Sequence, residues 1–432
     1  MTEPLLLDWV TGDATGLALP AHAEAFRKGG TAWLTRAFHA FGSLPADNAV
    51  VAIDRMEPCP GGSTGQKFFL TLSYAKDGPG LQRDLFLKFS RDFTDERRDW
   101  QRTEMEGEAR LVAISRLPGF PIRVPLGWFA DYQAESGTGV VITERVPYGE
   151  QGIEPHRLKA MDHLTMADPL PCYQAIVTAL ARLAAAHKSG RLGAGITERF
   201  PWDPVAGSAD PIVQTDAELT AQLEQCFAFA RDCPQLLPEA VRSEQFLARM
   251  REDAFLIKRH EAAIQRFLTG DQRMIALCHW NSHIDNCWFW RDEAGELQAG
   301  LIDWGRAAQI TFGSILWGGL SAAHHDIWDI HLDAVLGLFV DEYRANGGPA
   351  VTLAEVKRHL VLHMAAMGVA RVLAFPEIIR FRLPECVAAD GPYDPMFHAV
   401  DPARNCRQVY ANFLQFWHRQ DFGAVVRELV GG

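Results

Sequence analysis

The residues best suited to chemistry lie in one short stretch, CHWNSHIDNCWF, at residues 278–289. It contains two histidines, two asparagines and one aspartate in close succession. A predicted turn follows, and the next segment, LQAGLIDWG, carries a further aspartate, Asp303. Carboxylate and amide oxygens are ligands for Mg²⁺, which phosphoryl transfer commonly uses. The spacing therefore indicates chemistry on phosphate groups, although Asn281 occupies the position where a carboxylate is expected.

Two other chemistries fit parts of the sequence. Cys278, His279, His283 and Cys287 are residue types that bind zinc, but buried free cysteines are the more common outcome. The segment GGSTG, residues 61–65, matches the G-x-S-x-G pattern of a hydrolase nucleophile. That pattern requires a strand, a sharp turn and a helix, whereas the following QKFFLTLSY is typical of a strand. A hairpin turn is therefore favoured for GGSTG, and neither alternative chemistry is preferred.

The elements that position these residues begin with AHAEAFRKGGTAWLTRAFHAFG, which has apolar residues at helical spacing. Three strands are predicted next, at AVVAIDRMEP, KFFLTLSYA and RDLFLKFS. The segment DERRDWQRTEMEGEARLVAISRL is predicted to be one helix, and VPLGWFAD and GVVITERV are predicted to be two more strands. A small antiparallel sheet with one long helix is the expected result.

The rest of the chain is predicted to be mainly helical. Its clearest helices are CYQAIVTALARLAAAHKSG, AELTAQLEQCFAFARDC and SEQFLARMREDAFLIKRHEAAIQRFL. One hairpin interrupts them, NCWFWRDEAGELQAGLID, with DEAGE as its turn. The predicted fold class is α+β, with two lobes. We expect a helical extension at residues 1–45, a small sheet lobe at 46–147 and a large helical lobe at 148–432.

The order His279, Asn281, His283, Asn286 and then Asp303 resembles the aminoglycoside phosphotransferase and choline kinase-like family, including its ecdysteroid kinase-like members. In that family the loop H-G-D-x-H-x-x-N precedes I-D-W or I-D-F, and here HWNSHIDN precedes LIDWG. GGSTGQKFF, LFLKFS, GEARL and VITERVPYG are similar, in this order, to its phosphate-covering turn, strand lysine, helix glutamate and adenine hinge. The resemblance covers roughly residues 46–330 and implies a protein-kinase-like fold.

The resemblance implies a role for each matching residue. Lys88 would hold the phosphates of ATP and would be oriented by an ion pair with Glu108. Asp303 would bind one Mg²⁺, and Asn286 would bind a second through its neutral amide oxygen. Ser63 and Thr64 would either contact phosphate or only shape the turn. Glu144 and Val146 would lie at the adenine hinge. His279 and His283 would brace the catalytic loop around Asn281.

Two positions in the loop depart from the family pattern. Asn281 replaces the catalytic aspartate, and Trp280 replaces a glycine. An amide cannot take up a proton at neutral pH, so Asn281 can orient a hydroxyl but cannot act as a general base. The chain also has no Asp or Glu between Asp303 and Asp326, where the family usually has another aspartate. The leading prediction is an ATP-dependent phosphotransferase acting on a small-molecule hydroxyl, and the alternative is a pseudokinase that binds nucleotide as a scaffold or regulator.

Composition narrows the partners. The 432 residues are 48% hydrophobic and 22% charged, which is typical of a globular protein. The formal net charge of -12 disfavours nucleic acid and anionic membranes, both of which bind basic surfaces. The first residues, MTEPLLLDWV, lack the basic start and long apolar run of a signal peptide. We expect a cytoplasmic protein with reduced cysteines, and no motif specifies the acceptor or an oligomeric state.

Overall fold

The structure is a computed structural model that describes residues 7–431, and it divides into two compact units. Unit 1 comprises Met1–Gln151 and Gly300–Ala307, and unit 2 comprises Gly152–Ala299 and Ala308–Gly432. These bounds differ from the predicted divisions because the first helix belongs to unit 1, as does the short later segment. The beginning of the predicted 1–45 extension, residues 1–6, lies outside the described residues.

Unit 1 contains one five-stranded antiparallel sheet and a small two-stranded one. Its elements are β1 (Trp9–Thr11), β2 (Ala18–Pro20), α1 (Ala23–Phe41), β3 (Val50–Pro58), β4 (Gln66–Tyr74), β5 (Asp84–Phe89), α2 (Glu96–Trp100), a 3₁₀ turn (Gln101–Glu104), α3 (Met105–Ile114), β6 (Gly127–Gln133) and β7 (Thr138–Glu144). The large sheet has the strand order β3-β4-β5-β7-β6. The five strands predicted from the sequence are therefore present, whereas the pair β1–β2 was not predicted.

The helix α1 is part of the core of unit 1. Phe26, Trp33 and Phe38 on this helix are buried in the same apolar cluster as Leu70 of β4 and Leu87 of β5. Because β4 alternates buried and partly exposed residues, one face of the sheet is apolar, and α1 covers it. The sequence identified α1 as a helix but treated it as an extension, since helical periodicity does not reveal what the apolar face contacts.

The helix predicted over residues 95–117 is interrupted, and this prediction was wrong. Helix α2 ends at Trp100, and a 3₁₀ turn separates it from α3. Both carboxylate oxygens of Asp99 accept hydrogen bonds from Arg91, at 2.6 and 3.0 Å. The backbone carbonyl of Asp99 accepts another from Arg102, at 3.2 Å. Arg91 and Arg102 therefore bind the carboxylate and the carbonyl of Asp99, one residue before α2 ends. Hydrophobic periodicity cannot predict such contacts.

Unit 2 is mainly helical, which confirms the predicted α+β class with a small antiparallel sheet and a large helical part. Its α-helices and strands are α4 (Asp162–Thr165), α5 (Leu170–Lys188), α6 (Ile196–Arg199), α7 (Asp216–Asp232), α8 (Glu244–Arg259), α9 (Glu261–Gly270), β8 (Ile275–Cys278), β9 (Cys287–Arg291), β10 (Leu297–Leu301, whose last two residues belong to unit 1), β11 (Ala308–Thr311), α10 (Phe312–Leu320), α11 (His325–Asp329), α12 (Leu332–Ala345), α13 (Leu353–Ala370), α14 (Phe375–Arg382), α15 (Asp401–Gln420) and α16 (Phe422–Gly431). The segment predicted as one helix over residues 243–268 is divided into α8 and α9 at His260, whose φ and ψ are -106° and 14°.

Two short pairs of strands flank the segment predicted to be the catalytic loop. β9 pairs with β10 in the predicted hairpin, and β8 pairs antiparallel with β11. Helix α5 packs against β8 and α12, and α10 packs against α13. Within residues 7–431, no single helix has the length and apolar composition needed to cross a membrane, while the bent pair Leu353–Ala370 and Val372–Arg382 meets both criteria when taken together.

Candidate functional site

The central feature of unit 1 is a buried lysine between two carboxylates. Lys88 lies on β5, and its side chain is only 2% exposed. Its Nζ is 2.6 Å from Oε2 of Glu108 on α3 and 2.8 Å from Oδ1 of Asp303. The predicted ion pair between Lys88 and Glu108 is therefore present. The structure adds Asp303 as a second partner of the same ammonium group.

These three groups determine one another's protonation. Burial alone would lower the pKa of Lys88, but attraction to Asp303 and Glu108 outweighs it, so the pKa is raised and the lysine stays charged. Burial raises the pKa of Glu108, and repulsion from Asp303 acts in the same direction, while Lys88 opposes both. The pKa of Lys88 thus rises because of its two carboxylate partners, and that of Glu108 rises because of burial and the second carboxylate. The cluster carries a net negative charge when all three groups are ionised.

Asp303 has an unusual backbone conformation. Its φ is 58°, in the left-handed region, which costs about 1–3 kcal/mol for a residue other than glycine. Neighbouring hydrogen bonds hold this conformation. The backbone N–H of Leu301 donates to the carbonyl of Arg123 at 3.2 Å, and the indole of Trp304 donates to the carbonyl of Leu301 at 3.0 Å. Strain of this kind concentrates at functional sites.

A close approach of two backbone segments brings Asp303 to Lys88. The backbone N–H of Arg306 donates to the carbonyl of Glu104 at 2.8 Å. At Gly107 on α3, a Cβ atom would lie 2.6 Å from both the N and the O of Ala307, so any larger residue would push the segment away. This glycine is the G of the GEARL motif, and its role in holding the segment that carries Asp303 was not apparent from the sequence.

The GGSTG segment is the turn of an antiparallel hairpin between β3 and β4. No helix follows it, so the hydrolase arrangement is absent from this part of the described chain. Thr64 is buried, and its hydroxyl donates to Oε2 of Glu104 at 3.3 Å, whereas Ser63 is exposed on the turn. Thr64 therefore holds the turn against the 3₁₀ segment before α3, and Ser63 is the hydroxyl that faces outwards.

The two hinge candidates lie at the end of β7, with Glu144 as its last residue and Val146 two positions later. The backbone N–H of Glu144 donates to the carbonyl of Leu126 at 2.9 Å, and the carbonyl of Val146 accepts from Tyr148 at 3.0 Å. Among residues 7–431, the N–H of Val146 has no hydrogen-bond acceptor. This donor is consistent with the adenine-binding role that the sequence predicts at Val146, and that role stays a prediction.

The predicted catalytic loop lies in unit 2, between β8 and β9. His279 is buried, and its Nδ1 accepts a hydrogen bond from the backbone N–H of Asn281 at 3.0 Å. The side-chain Nδ2 of Asn286 donates to the backbone carbonyl of Asn281 at 2.8 Å. Both backbone groups of Asn281 are therefore fixed by predicted site residues. The geometry agrees with a bracing role for His279, while the side chain of Asn281 has no hydrogen bond to residues 7–431.

Helix α10 packs directly against this loop. A Cβ atom at Gly318 would lie 2.0 Å from the backbone oxygen of Trp280, so only glycine permits this approach. Trp280, which replaces the family's glycine, is thus accommodated at its backbone by a glycine from another element. The glycine-rich end of α10 gives a signal in the sequence, SILWGGL, but its contact partner could not be deduced from it.

His283 is the second predicted brace. Its backbone carbonyl accepts from the N–H of Asn286 at 2.8 Å and from the thiol of Cys287 at 3.3 Å. Burial and the nearby charge of Lys159 hold the pKa of His283 well below its usual value, so the ring is neutral at physiological pH. The thiol of Cys278 instead contacts the carbonyl of Leu180, at 3.7 Å.

The zinc alternative is not supported by the geometry. Among residues 7–431, the one group of three or more His, Cys, Asp or Glu side chains with converging ligand atoms is His324, His325 and Asp326. The four residues Cys278, His279, His283 and Cys287 do not form such a group. The histidine-rich segment SAAHHDIWDIH contains the converging group, and His325 also contacts the hydroxyl of Tyr393 at 2.8 Å.

The predicted metal ligands have suitable donor atoms. Because Nδ2 of Asn286 is committed to the carbonyl of Asn281, Oδ1 is the amide atom that remains for a cation. Asp303 offers a carboxylate, and Mg²⁺ accepts both carboxylate and amide oxygens as ligands. The structure thus brings together Lys88, Glu108 and Asp303 in unit 1, and His279, Asn281 and Asn286 in unit 2.

No family model and no curated protein matches the chain. The solved structures that are similar include a choline kinase from Cryptosporidium parvum Iowa II, with 10% identity over 85% of this chain and 91% of that one, and a TM-score of 0.42. An aminoglycoside-3'-phosphotransferase of type VIII has 22% identity over 76% and 97%, with a TM-score of 0.35. A microcompartment-associated aminopropanol kinase has 15% identity over 86% and 95%, with a TM-score of 0.36.

The choline kinase and the aminoglycoside phosphotransferase are of the classes that the sequence resemblance named. Their TM-scores are below 0.5 and their identities below 25%. The function proposed below therefore rests on the residues of this chain.

Proposed function

We propose that this protein binds Mg²⁺ and ATP and transfers the terminal phosphoryl group to a hydroxyl of a small molecule. The observation that carries the proposal is the buried Lys88 held between Glu108 and Asp303. A buried ion pair is a poor way to stabilise a fold, because apolar residues of similar size are often as stabilising. A buried, charged lysine that pairs with a carboxylate in a strained backbone conformation, Asp303, is better explained by a function that needs its charge.

The cluster suits a nucleotide phosphate. An ammonium group has three donors, and Lys88 directs one to Glu108 and one to Asp303. The third has no acceptor among residues 7–431 and can donate to a phosphate oxygen. When bound, Mg²⁺ ions would neutralise charge on the phosphates, with Asp303 as the candidate ligand of one ion and Asn286 as that of a second.

Asn281 would orient the acceptor. Its backbone is fixed by His279 and Asn286, so its carboxamide can hydrogen-bond a hydroxyl from a defined position. It cannot remove the proton, which would leave late or through water in a loose transition state. The same residue favours a second candidate function, a pseudokinase that binds nucleotide as a scaffold or regulator. Both candidates share the nucleotide site and differ in turnover.

Two parallel measurements separate these functions. Calorimetry measures binding of magnesium and ATP, and a coupled assay measures ATP consumption with a panel of amino alcohols, sugars and aminoglycosides. The net charge of -12 favours small acceptors, neutral or cationic, over nucleic acid. Acceptor-dependent ATP consumption supports the phosphotransferase. Binding without consumption favours the scaffold, and absence of binding at millimolar ATP contradicts both.

A further inference from the structure

A second lysine lies beside Lys88 on the same face of the sheet. In the antiparallel pair β4–β5, Lys67 is directly opposite Lys88. Residues opposite each other in this way project to one face with their Cβ atoms about 4.5–5.5 Å apart, and like charges in such a pair are destabilising. The pair of lysines therefore needs negative charge nearby. No sequence motif singles out Lys67, because its neighbour is determined by strand register.

The ammonium group of Lys67 lies beneath the GGSTG turn. A Cβ atom built on Gly62 would be 1.7 Å from Nζ of Lys67, so the ammonium fills the space next to that glycine. The backbone φ of Gly62 is +74°, which also excludes most other residues. Lys67 is thus directed under the turn that the sequence predicts to cover phosphates.

Lys67 differs from Lys88 in its direct contacts. Two carboxylates face the lysine pair, Glu108 and Asp303, and both are in contact with Lys88. Lys67 itself has no hydrogen-bond acceptor or ion-pair partner for its side chain among residues 7–431. Burial, and then repulsion from Lys88, lower its pKa, while Asp303 and Glu108 oppose this. A phosphate group under the turn would supply the hydrogen-bond acceptor that Lys67 lacks.

We infer that Lys67 is a second phosphate-binding lysine, which contacts the terminal phosphates of the nucleotide alongside Lys88 and beneath Gly62. The inference deepens the proposed function and rests on it for the identity of the nucleotide. It follows from the register, the position under the turn and the absence of a protein partner. A lysine that only covered the sheet would extend into solvent or pair with a carboxylate.

The test uses the full chain and a series of ligands that differ in phosphate number. Calorimetry compares wild type, Lys67→Met and Lys67→Arg with AMP, ADP and ATP in the presence of Mg²⁺, and with inorganic tripolyphosphate. Lys76→Met is the matched control, because Lys76 is an exposed lysine of the same unit that pairs with Asp47. Thermal denaturation without ligand checks the folding of each variant.

Lys67→Met should weaken binding of ATP and tripolyphosphate by about 10- to 100-fold, as expected for one charge-assisted hydrogen bond to phosphate. Binding of AMP should change by less than about threefold, and Lys67→Arg should restore most of the affinity. The unfolding temperature without ligand should not fall, since Lys67 has no protein partner to lose. A lysine with a merely structural role would instead lower that temperature and leave the dependence on phosphate number unchanged.

The outcomes separate this inference from the proposed function. If wild type binds ATP and Lys67→Met binds it equally well, or if Lys67→Met weakens AMP and ATP alike, the inference is overturned and nucleotide binding stands. If wild type binds tripolyphosphate through Lys67 but binds no nucleotide, the phosphate-binding role holds and the proposed function fails. If wild type binds none of the four ligands, both are wrong.

Discussion

Replacing Lys88 with methionine should destabilise unit 1 strongly. The change removes the ammonium but keeps a side chain of similar length, so Glu108 and Asp303 lose their shared counter-ion. Removing one partner of a buried ion pair typically costs about 3–5 kcal/mol. For a unit of this size, each kcal/mol lowers the unfolding temperature by about 2–4 °C. A decrease of about 6–20 °C is therefore expected at pH 8.

The loss of stability in Lys88→Met should depend on pH in a definite direction. Burial already raises the pKa of Glu108, and removal of Lys88 should raise it further. A carboxyl group with a raised folded pKa favours the folded state below its unfolded pKa of about 4.3 and loses that contribution as the pH rises through the folded pKa. The difference in unfolding temperature between wild type and Lys88→Met should therefore be largest at pH 8 and should narrow towards pH 5.

Thermal denaturation at several pH values, with a double-mutant cycle, tests this reasoning. Adding Glu108→Gln to Lys88→Met should recover part of the lost stability, because the amide needs no counter-ion, and the coupling should be about 1–3 kcal/mol. The exposed pair of Lys76 and Asp47 is the control, and Lys76→Met should change stability by less than about 1 kcal/mol. Equal stability of wild type and Lys88→Met at pH 8, or a difference that widens at low pH, would refute the assignment of Lys88 as the buried counter-ion.

Two further predictions concern the loop in unit 2. Asn281→Asp should raise ATP turnover at least about tenfold, with or without an acceptor, because general-base catalysis typically contributes about 10²–10⁴-fold. The double variant with Trp280→Gly controls for crowding of the loop. If neither variant gains turnover although both still bind ATP, the missing base is not what limits the protein. Gly318→Ala should lower stability by about 1–3 kcal/mol and reduce turnover, since its Cβ would lie 2.0 Å from the backbone of Trp280. The control is Gly337→Ala, at a helical glycine with open space around it, which should be neutral or stabilising by about 0.5–1 kcal/mol. Equal effects of the two substitutions in thermal denaturation and in the ATP assay would contradict the packing of α10 on the loop.

Several parts of the fold follow from local sequence signals. Alternation of apolar residues and the turn-forming glycines predicted β3, β4 and β5. The DEAGE turn predicted the hairpin β9–β10. The pairing of Lys88 with Glu108 was also predictable, because the strand lysine and the helix glutamate each occur in a motif of the expected order. These features depend on short stretches of chain or on a recognisable order of motifs.

Other features depend on contacts between distant segments. Asp303 is 215 positions away from Lys88 in the chain, and its approach requires Gly107 and the hydrogen bond between Arg306 and Glu104. The opposition of Lys67 and Lys88 depends on strand register, which no single strand reveals. Helix α2 ends at Trp100, next to Asp99, whose carbonyl accepts a hydrogen bond from the side chain of Arg102, and a periodicity pattern contains no such information.

The most direct test of the central claim is the change in unfolding temperature on adding ATP and Mg²⁺. A ligand at 100 times its dissociation constant stabilises the folded state by about 2.7 kcal/mol, which should raise the unfolding temperature measurably in wild type. Each variant is compared with its own ligand-free value, and Lys88→Ala and Asp303→Ala should each reduce the increase. We expect an increase in wild type that both substitutions diminish. No increase in wild type at millimolar ATP, or an increase that both variants retain in full, would contradict the assignment of Lys88 and Asp303 as the nucleotide site.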